Sequence, residues 1–398
     1  MKKRPVVLVE FSPSGGLFQF GVQLGEALSS DVGEVELWTG PDPELHSRTE
    51  QFVIKSVLPT WHPSAAGRAN SSMLRIARRA FRAGQLALAW VVLGARIVLK
   101  RPRAVLFSHW RFTFEPLFVV LISALAPRTE FGIVAHEPFP RSDARDTSKV
   151  KSGRLLDAAF TAAWARMDMA FVLGARTREQ VIQRWHPHAD VVVIPHGDEG
   201  ALLPAGSPRD WTPASSTAQV VLFFGTWTQY KGIEVLLDAF AQLRSRLPDA
   251  RLVMAGAVGA DVDVTDILTR AARIGNVDAR PGYVDSSAVF DVVDAARVVA
   301  TPYIRASQSG VAHLAFTAGR PVVATDVGDL SDVVIDEVTG LLVPPDDAGA
   351  LAQALARLLE NAELAQRLGE SGHQKISGAW GRAAALIAQN LTKLEGKQ

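Results

Sequence analysis

Short, almost wholly apolar runs alternate along this chain with longer stretches whose apolar positions recur every three or four residues. In the first half the runs are residues 5–11, "EVELWTG", "AVLFSHW", "EFGIVAH", "DMAFVLG" and "DVVVIPHG". Helical spacing fills residues 17–28 and "TREQVIQRW". Runs of this length, uninterrupted by polar positions, predict strands buried on both faces, and the strand–helix alternation predicts parallel sheets. Residues 198–217, "DEGALLPAGSPRDWTPASST", break the rhythm with three prolines and read as a linker. The alternation then restarts, with strands over 219–224, 251–255, 277–280, 297–302, 321–325 and 339–343. Helices are predicted over 232–247, 264–274, 286–294, 310–318 and 347–360. The pattern predicts an N-terminal domain over 1–200, a linker over 201–217, a C-terminal domain over 218–378 and a last helix over 379–398. The fold class is α/β, two doubly wound Rossmann-like domains, with ligands expected beyond the carboxyl ends of the strands and in a cleft where the domains face each other.

Composition narrows this little. The chain has 398 residues, 48% of them apolar, and a formal net charge of +1, which gives no global field for nucleic acid. There is no cysteine, which excludes disulfides, thiolate metal sites and cysteine nucleophiles. The apolar run after the basic start carries Glu10 and reads as a strand rather than a leader. Two more apolar stretches, 83–95 and 116–127, fall short of the roughly 20 residues of a membrane span. Charge is uneven: residues 51–114 hold eleven Lys or Arg and no Asp or Glu. Arg75, Arg78, Arg79 and Arg82 repeat at helical spacing, a cationic stripe suited either to solvent or to an anionic membrane surface.

Candidate chemistry gathers at two corners of the C-terminal half. In "VVLFFGTWTQYKGIEVLLDAFAQL" a strand ends at Gly225, and Lys231-Gly232 opens a helix whose Ile233, Leu236, Leu237, Phe240 and Leu243 share one face. A cation is misplaced at a helix N-terminus unless an anion sits there too. The second corner is Ser307-Gln308-Ser309-Gly310, where Ser307 or Ser309 is expected to cap the next helix, whose remaining free amides face the same cleft as Lys231. Together the corners suit a nucleotide diphosphate. No metal site is expected: Asp261 and Asp263 of "DVDV" read as helix-starting residues, and no H-E-x-x-H is present.

These stretches, with "DARPGYVD", "TAGRPVVATDVGDLSDVV", "VTGLLVPPDD", "VVVIPHG" and "RMDMAFVLGARTREQVI", resemble family 4 glycosyltransferases (glycosyl transferases group 1) of the GT-B fold. The resemblance covers most of residues 5–375 and is strongest over 190–360. It implies a retaining, metal-independent transfer from a nucleotide-sugar, UDP- or GDP-linked, with no other cofactor. It implies that the donor binds chiefly to the C-terminal domain and a glycan or polyprenyl-linked acceptor to the N-terminal one, with the last helix crossing back to the N-terminal domain. Lys231 matches the lysine that grips the diphosphate, with Gly225, Thr226 and the backbone of Ser309, Gly310 and Val311 beside it. Gly15 and Gly16 match the glycine loop near the phosphate and sugar. Tyr283 and Val284 match the segment that meets the base. His136, at a strand end and followed by Glu137, matches a histidine close to the donor sugar. Ser307, Gln308, Glu137 and His109 are the further candidates for sugar or acceptor contact. The location expected is cytoplasmic, with the Arg75–Arg82 stripe leaving open a peripheral seat on the inner face of a membrane.

The sequence departs from that pattern in two places. Thr226 stands where an arginine is usual, leaving the diphosphate without its second cation. Ala306 and Leu314 stand where two glutamates eight residues apart are usual, the second of them at the ribose. The departures keep two other readings open, a nucleotide-sugar-binding protein without turnover and a GT-B nucleotide-sugar epimerase. A dinucleotide oxidoreductase lacks its G-x-G-x-x-G after the first strand.

Overall fold

A computed structural model describes residues 4–62, 72–110, 114–139, 153–203 and 210–395, with the side chains of 72–79 and 395 outside the description. The chain divides into two compact units. Described residues up to Pro195, joined by those from Trp380 onward, form the first, and His196–Ala379 belongs to the second.

The first unit holds a seven-stranded, all-parallel sheet in the order β3-β2-β1-β4-β5-β6-β7. In chain order its elements are β1 (Val6–Val9), α1 (Gly16–Val32), β2 (Val35–Thr39), β3 (Phe52–Ser56), α2 (Ser72–Lys100), β4 (Ala104–Phe107), α3 (Glu115–Leu125), β5 (Glu130–Ala135), α4 (Arg154–Trp164), β6 (Met169–Val172), α5 (Ala175–Trp185) and β7 (Val191–Val193). The second unit holds a six-stranded parallel sheet, β10-β9-β8-β11-β12-β13. It runs β8 (Val220–Phe224), α6 (Ile233–Arg246), β9 (Arg251–Gly256), α7 (Val264–Ile274), β10 (Val277–Pro281), α8 (Val289–Asp294), β11 (Val298–Thr301), α9 (Gly310–Thr317), β12 (Val322–Thr325), α10 (Leu330–Val333), β13 (Gly340–Val343), α11 (Ala348–Glu360) and α12 (Ala362–Ile376). The last helix, α13 (Ala379–Glu395), comes after these.

The doubly wound α/β class read from the sequence is the one observed. The central strands are buried along their whole length, as in β1, β4 and β11, which is why they read as unbroken apolar runs. The winding reverses beside β1 in the first sheet and beside β8 in the second, so each sheet has a switch point where consecutive loops part and leave a crevice. In the second unit that point lies between the loop after β8 and the loop after β11.

Two elements differ from expectation. β3 is not anticipated: it is an edge strand with Val53 exposed, and Lys55 is held by Glu36 at 2.6 Å. α2 is one helix of 29 residues, far longer than the apolar stretch 83–95, and Ala80–Lys100 is long and apolar enough to cross a membrane by length and composition. One face of α2 is nevertheless built into the core, with Trp90, Leu93 and Ile97 fully buried. The last helix, α13, packs within the first unit, where Trp380, Ala384, Ile387 and Leu391 share a cluster with Phe18, Phe20 and Leu24 of α1. The Trp380 and Phe20 rings meet edge to face at 4.9 Å.

Candidate functional site

The loop after β8 is fastened along its length before it reaches Lys231. Gly225 donates its N–H to the Ala255 carbonyl (3.0 Å) and Trp227 to that of Ala257 (2.7 Å). The Trp227 side chain is fully buried and works as the loop's anchor. Asp261 accepts the Gln229 N–H at 3.1 Å. Of the two aspartates read as helix starters, Asp263 does cap α7, accepting from Thr265 and Asp266, whereas Asp261 pins this loop. Gln229–Lys231 form one 3-10 turn, closed by Gly232 at φ 68°. A Cβ at Gly232 would collide with the Pro302 carbonyl oxygen, so two independent reasons demand glycine there.

This geometry turns the Lys231 side chain back over the end of β8. Its Nζ lies 2.7 Å from where a Cβ of Gly225 would stand, with Val311 Cγ2 3.6 Å from the same point. Lys231 is only 9% exposed, and its ammonium sits 5.5 Å from the centroid of the Tyr303 ring. Among the described residues no carboxylate pairs with it. Burial pulls its pKa down from the ordinary 10.5 to about 8. A buried cation without a counter-ion is costly, and an anionic ligand would remove that cost.

The loop after β11 closes the other side. Ile304 donates its N–H to the Tyr230 carbonyl at 2.8 Å, stitching the two loops together. The Arg305 guanidinium lies 4.8 Å over the Tyr230 ring. Asp329 N–H donates to the Ser307 carbonyl at 3.2 Å, and Gly328 lets the chain approach there, since a Cβ would strike the Ala306 carbonyl oxygen. Ser309 occupies the N-cap position of α9 but does not cap it. Its hydroxyl donates instead to the buried Tyr303 hydroxyl at 3.3 Å. The capping role expected of Ser309 is therefore corrected: the tyrosine takes the serine hydroxyl, which makes no cap bond to this helix.

Beside the start of α9 stands a buried polar cluster that sequence reasoning did not single out. His196 Nε2 is 3.1 Å from Glu199 Oε1, its Nδ1 is 3.4 Å from Gln308 Oε1, and its ring stacks on His313 at 4.0 Å. Burial, with His196 alongside, holds the His313 pKa well below the usual histidine range, so that ring is neutral. A Cβ at Gly310 would stand 3.8 Å from Glu199 Oε1, which places this carboxylate next to the first turn of α9. The available signal was "PHGDE", a histidine and an acid three residues apart just past a strand end.

The structure thus gathers Gly225, Lys231, Gln308, Ser309, Gly310 and Val311 at one switch point and adds Tyr303, Arg305, His196 and Glu199. Thr226 is in the same loop and exposed. Leu314 is 5% exposed and wholly apolar, a residue of α9 that offers a ribose no hydrogen bond. Tyr283 is exposed and Val284 half-buried in the loop after β10. In the first unit, Gly15 and Gly16 open α1, and a Cβ on either would meet open space. The Gly15 N–H is taken by Glu44 Oε2 at 2.9 Å. His136 comes just after β5 with its ring edge-on to Phe20 at 4.3 Å, and Glu137 and His109 are half-buried at strand ends. Arg82 lies over the Trp61 ring at 5.0 Å. The side chains of Arg75, Arg78 and Arg79 lie outside the described residues.

Residues 218–361 match the family model described as glycosyl transferases group 1. The second unit carries a group 1 glycosyl transferase domain. Both loops of the switch-point corner fall inside the matched stretch of this group 1 domain. The chain is 30% identical over 261 residues to D-inositol 3-phosphate glycosyltransferase of Corynebacterium diphtheriae, covering 61% of this chain and 59% of that one. It is 29% identical over 198 residues to phosphatidyl-myo-inositol mannosyltransferase of Mycolicibacterium smegmatis, 48% of this chain and 50% of that one. The match thus spans half to three fifths of these relatives' lengths. Among solved structures, sucrose-phosphate synthase from Thermosynechococcus elongatus superposes with a TM-score of 0.71 at 21% identity, covering 100% of both chains. Anabaena HepE in complex with UDP-glucose superposes at 0.65 and 14% identity, covering 99% of this chain and 100% of that one. These likenesses bear on the fold, and they agree with the GT-B class expected from the group 1 resemblance.

Proposed function

We propose that this chain is a nucleotide-sugar-dependent glycosyltransferase whose group 1 domain holds the donor diphosphate at Lys231. The observation that carries the reading is the buried ammonium at the switch point, without a carboxylate partner among the described residues and enclosed by Gly225, Tyr303 and Val311. In the transfer, the bond from the anomeric carbon to the diphosphate oxygen breaks, the acceptor hydroxyl oxygen forms the new bond, and its proton passes to the departing diphosphate. Negative charge grows on the departing diphosphate. Lys231 and the backbone N–H groups at the start of α9 would stabilise that charge without rearranging. Arg305, held on Tyr230, would supply the second cation that Thr226 does not. Gln308 and Glu199 supply an amide and a carboxylate beside α9, offsetting the hydroxyl-binding capacity lost at Ala306 and Leu314.

The reading includes retention of anomeric configuration, no metal, and a UDP- or GDP-linked sugar. UDP-glucose is favoured by its presence in the HepE complex, a protein of the same fold. The acceptor, assigned to the first unit with His136, Glu137 and His109, is a glycan or a polyprenyl-linked molecule. Relatives named for inositol phosphate and phosphatidylinositol favour a phosphorylated or lipid-borne one. A cytoplasmic location at the inner face of an anionic membrane completes the proposal. The test is calorimetric titration with UDP, GDP and their sugars. Wild-type protein is expected to bind one of these series and the Lys231→Ala variant to bind it far more weakly. Equal binding by both proteins would refute the placement of the diphosphate.

A further inference from the structure

Ser309 is placed to cap α9 and does not. Its backbone is extended, at φ −137° and ψ 106°, as an N-cap residue usually is, yet its side chain makes no bond to the amides of the first turn. Elsewhere in the second unit the acceptor at this position is used: Asp263, Asp347 and Asn361 cap α7, α11 and α12. The Ser309 backbone is firmly held. Its carbonyl accepts the Nδ1–H of the neutral His313 ring at 3.0 Å and the Ala312 N–H at 3.2 Å, so only the hydroxyl has a choice of partner. That hydroxyl goes to Tyr303, and the two side chains are buried together. Tyr303 is fixed in its turn, its carbonyl accepting the Thr325 hydroxyl of β12. Burial pushes the Tyr303 phenol pKa up, so its hydroxyl stays neutral and lends Lys231 no counter-charge.

We infer that Tyr303 is a positioning residue: by holding the Ser309 hydroxyl it keeps the first amides of α9 open for the oxygens of the donor diphosphate. A helix N-terminus attracts an anion through its unsatisfied N–H groups, and a capping oxygen competes for those same donors. An N-cap serine is among the better competitors, so a helix that binds an anion with a serine at its cap needs something to draw the hydroxyl aside. The independent sign of an anion at this corner is the Lys231 ammonium, 9% exposed, beside the Tyr303 ring and without a carboxylate partner among the described residues. The inference rests on the reading that places the diphosphate at Lys231. It adds a residue that acts through Ser309 and need not touch the ligand.

The test pairs calorimetric titration with UDP and GDP with thermal melting of the full chain. Tyr303→Phe keeps the ring beside Lys231 and removes only the phenolic oxygen. The released Ser309 hydroxyl is then expected to cap α9: affinity for the nucleoside diphosphate falls about tenfold, while the melting temperature holds or rises. Adding Ser309→Ala takes the cap away again. The double variant should regain several-fold of the lost affinity over Tyr303→Phe, although its melting temperature drops below that of the single variant. A tyrosine that merely supported the fold would move affinity and melting in the same direction, and a second deletion would not restore binding. Tyr303→Phe that binds as the wild type does overturns the inference, and so does a double variant that binds no tighter than the single one. Lys231→Ala, run alongside, separates this result from the reading beneath it. If that variant loses binding and Tyr303→Phe does not, the inference alone falls. If Lys231→Ala binds as the wild type does, or the wild type binds neither nucleotide, both fall.

Discussion

Lys231 is legible in the sequence because a cation just ahead of a helix is electrostatically out of place, and the fold deepens the anomaly by burying it. Its pKa of about 8 gives the binding site a pH dependence. A diphosphate favours the ammonium form, so nucleotide affinity should be flat below pH 8 and fall as pH rises through it, with proton uptake on binding that grows over the same range. Titration calorimetry in two buffers of different ionisation enthalpy reads both. The same depression acts on stability in the opposite sense. Between about pH 8 and 10.5 the unfolded chain holds the extra proton, so this group adds stability as pH rises through that window. Lys231→Ala should lower kcat/KM by about a hundredfold or more, on the order of 3 kcal/mol, while the melting temperature holds or rises. Arg305→Gln should chiefly weaken nucleotide binding. The contacts of Arg305 with Tyr230, of Tyr303 with Lys231 and of His196 with Gln308 escaped sequence reading because the partners are remote in the chain. His196 and Gln308 are 112 positions apart, and only the closed sheet brings them together.

At the scale of elements, α6 was readable in full: Ile233, Leu236, Leu237, Phe240 and Leu243 repeat as a helix face, and all five are buried. Gly232 sets the position of a whole turn rather than of one side chain. Gly232→Ala should displace the 3-10 turn from Pro302, destabilise the second unit by about 1–3 kcal/mol and abolish nucleotide binding, as chemical denaturation and calorimetry would report. Between α8 and β12, Arg320 is 1% exposed and bonds Asp294 at 2.7 Å. Asp294→Ala would strand that guanidinium and cost about 3 kcal/mol or more. β3 and the full length of α2 were not legible for opposite reasons. An edge strand shows solvent too many polar positions, and the arginines that lead into α2 hide the continuity of a helix that is apolar on both of its long faces.

At the scale of the molecule, strand–helix alternation specified two parallel sheets, while their strand order and switch points come from how the strands assemble. The assignment of α13 to the first unit is likewise a tertiary fact: from sequence it is an amphipathic helix with no stated partner, and only the resemblance pointed back. Ending the chain after Ala379 should uncover Phe18, Phe20 and Leu24 and lower the melting temperature of the first unit. The second unit should melt as before, with differential scanning calorimetry tracking both.

The return of α13 also orders events during synthesis. A ribosome releases the second unit's last strand and helices before it releases the residues that finish the first. The unit whose first strands are made earlier therefore closes after the other, and until α13 has been made its α1 surface around Phe20 stays bare, a window in which a chaperone, or a neighbouring nascent chain, can reach it.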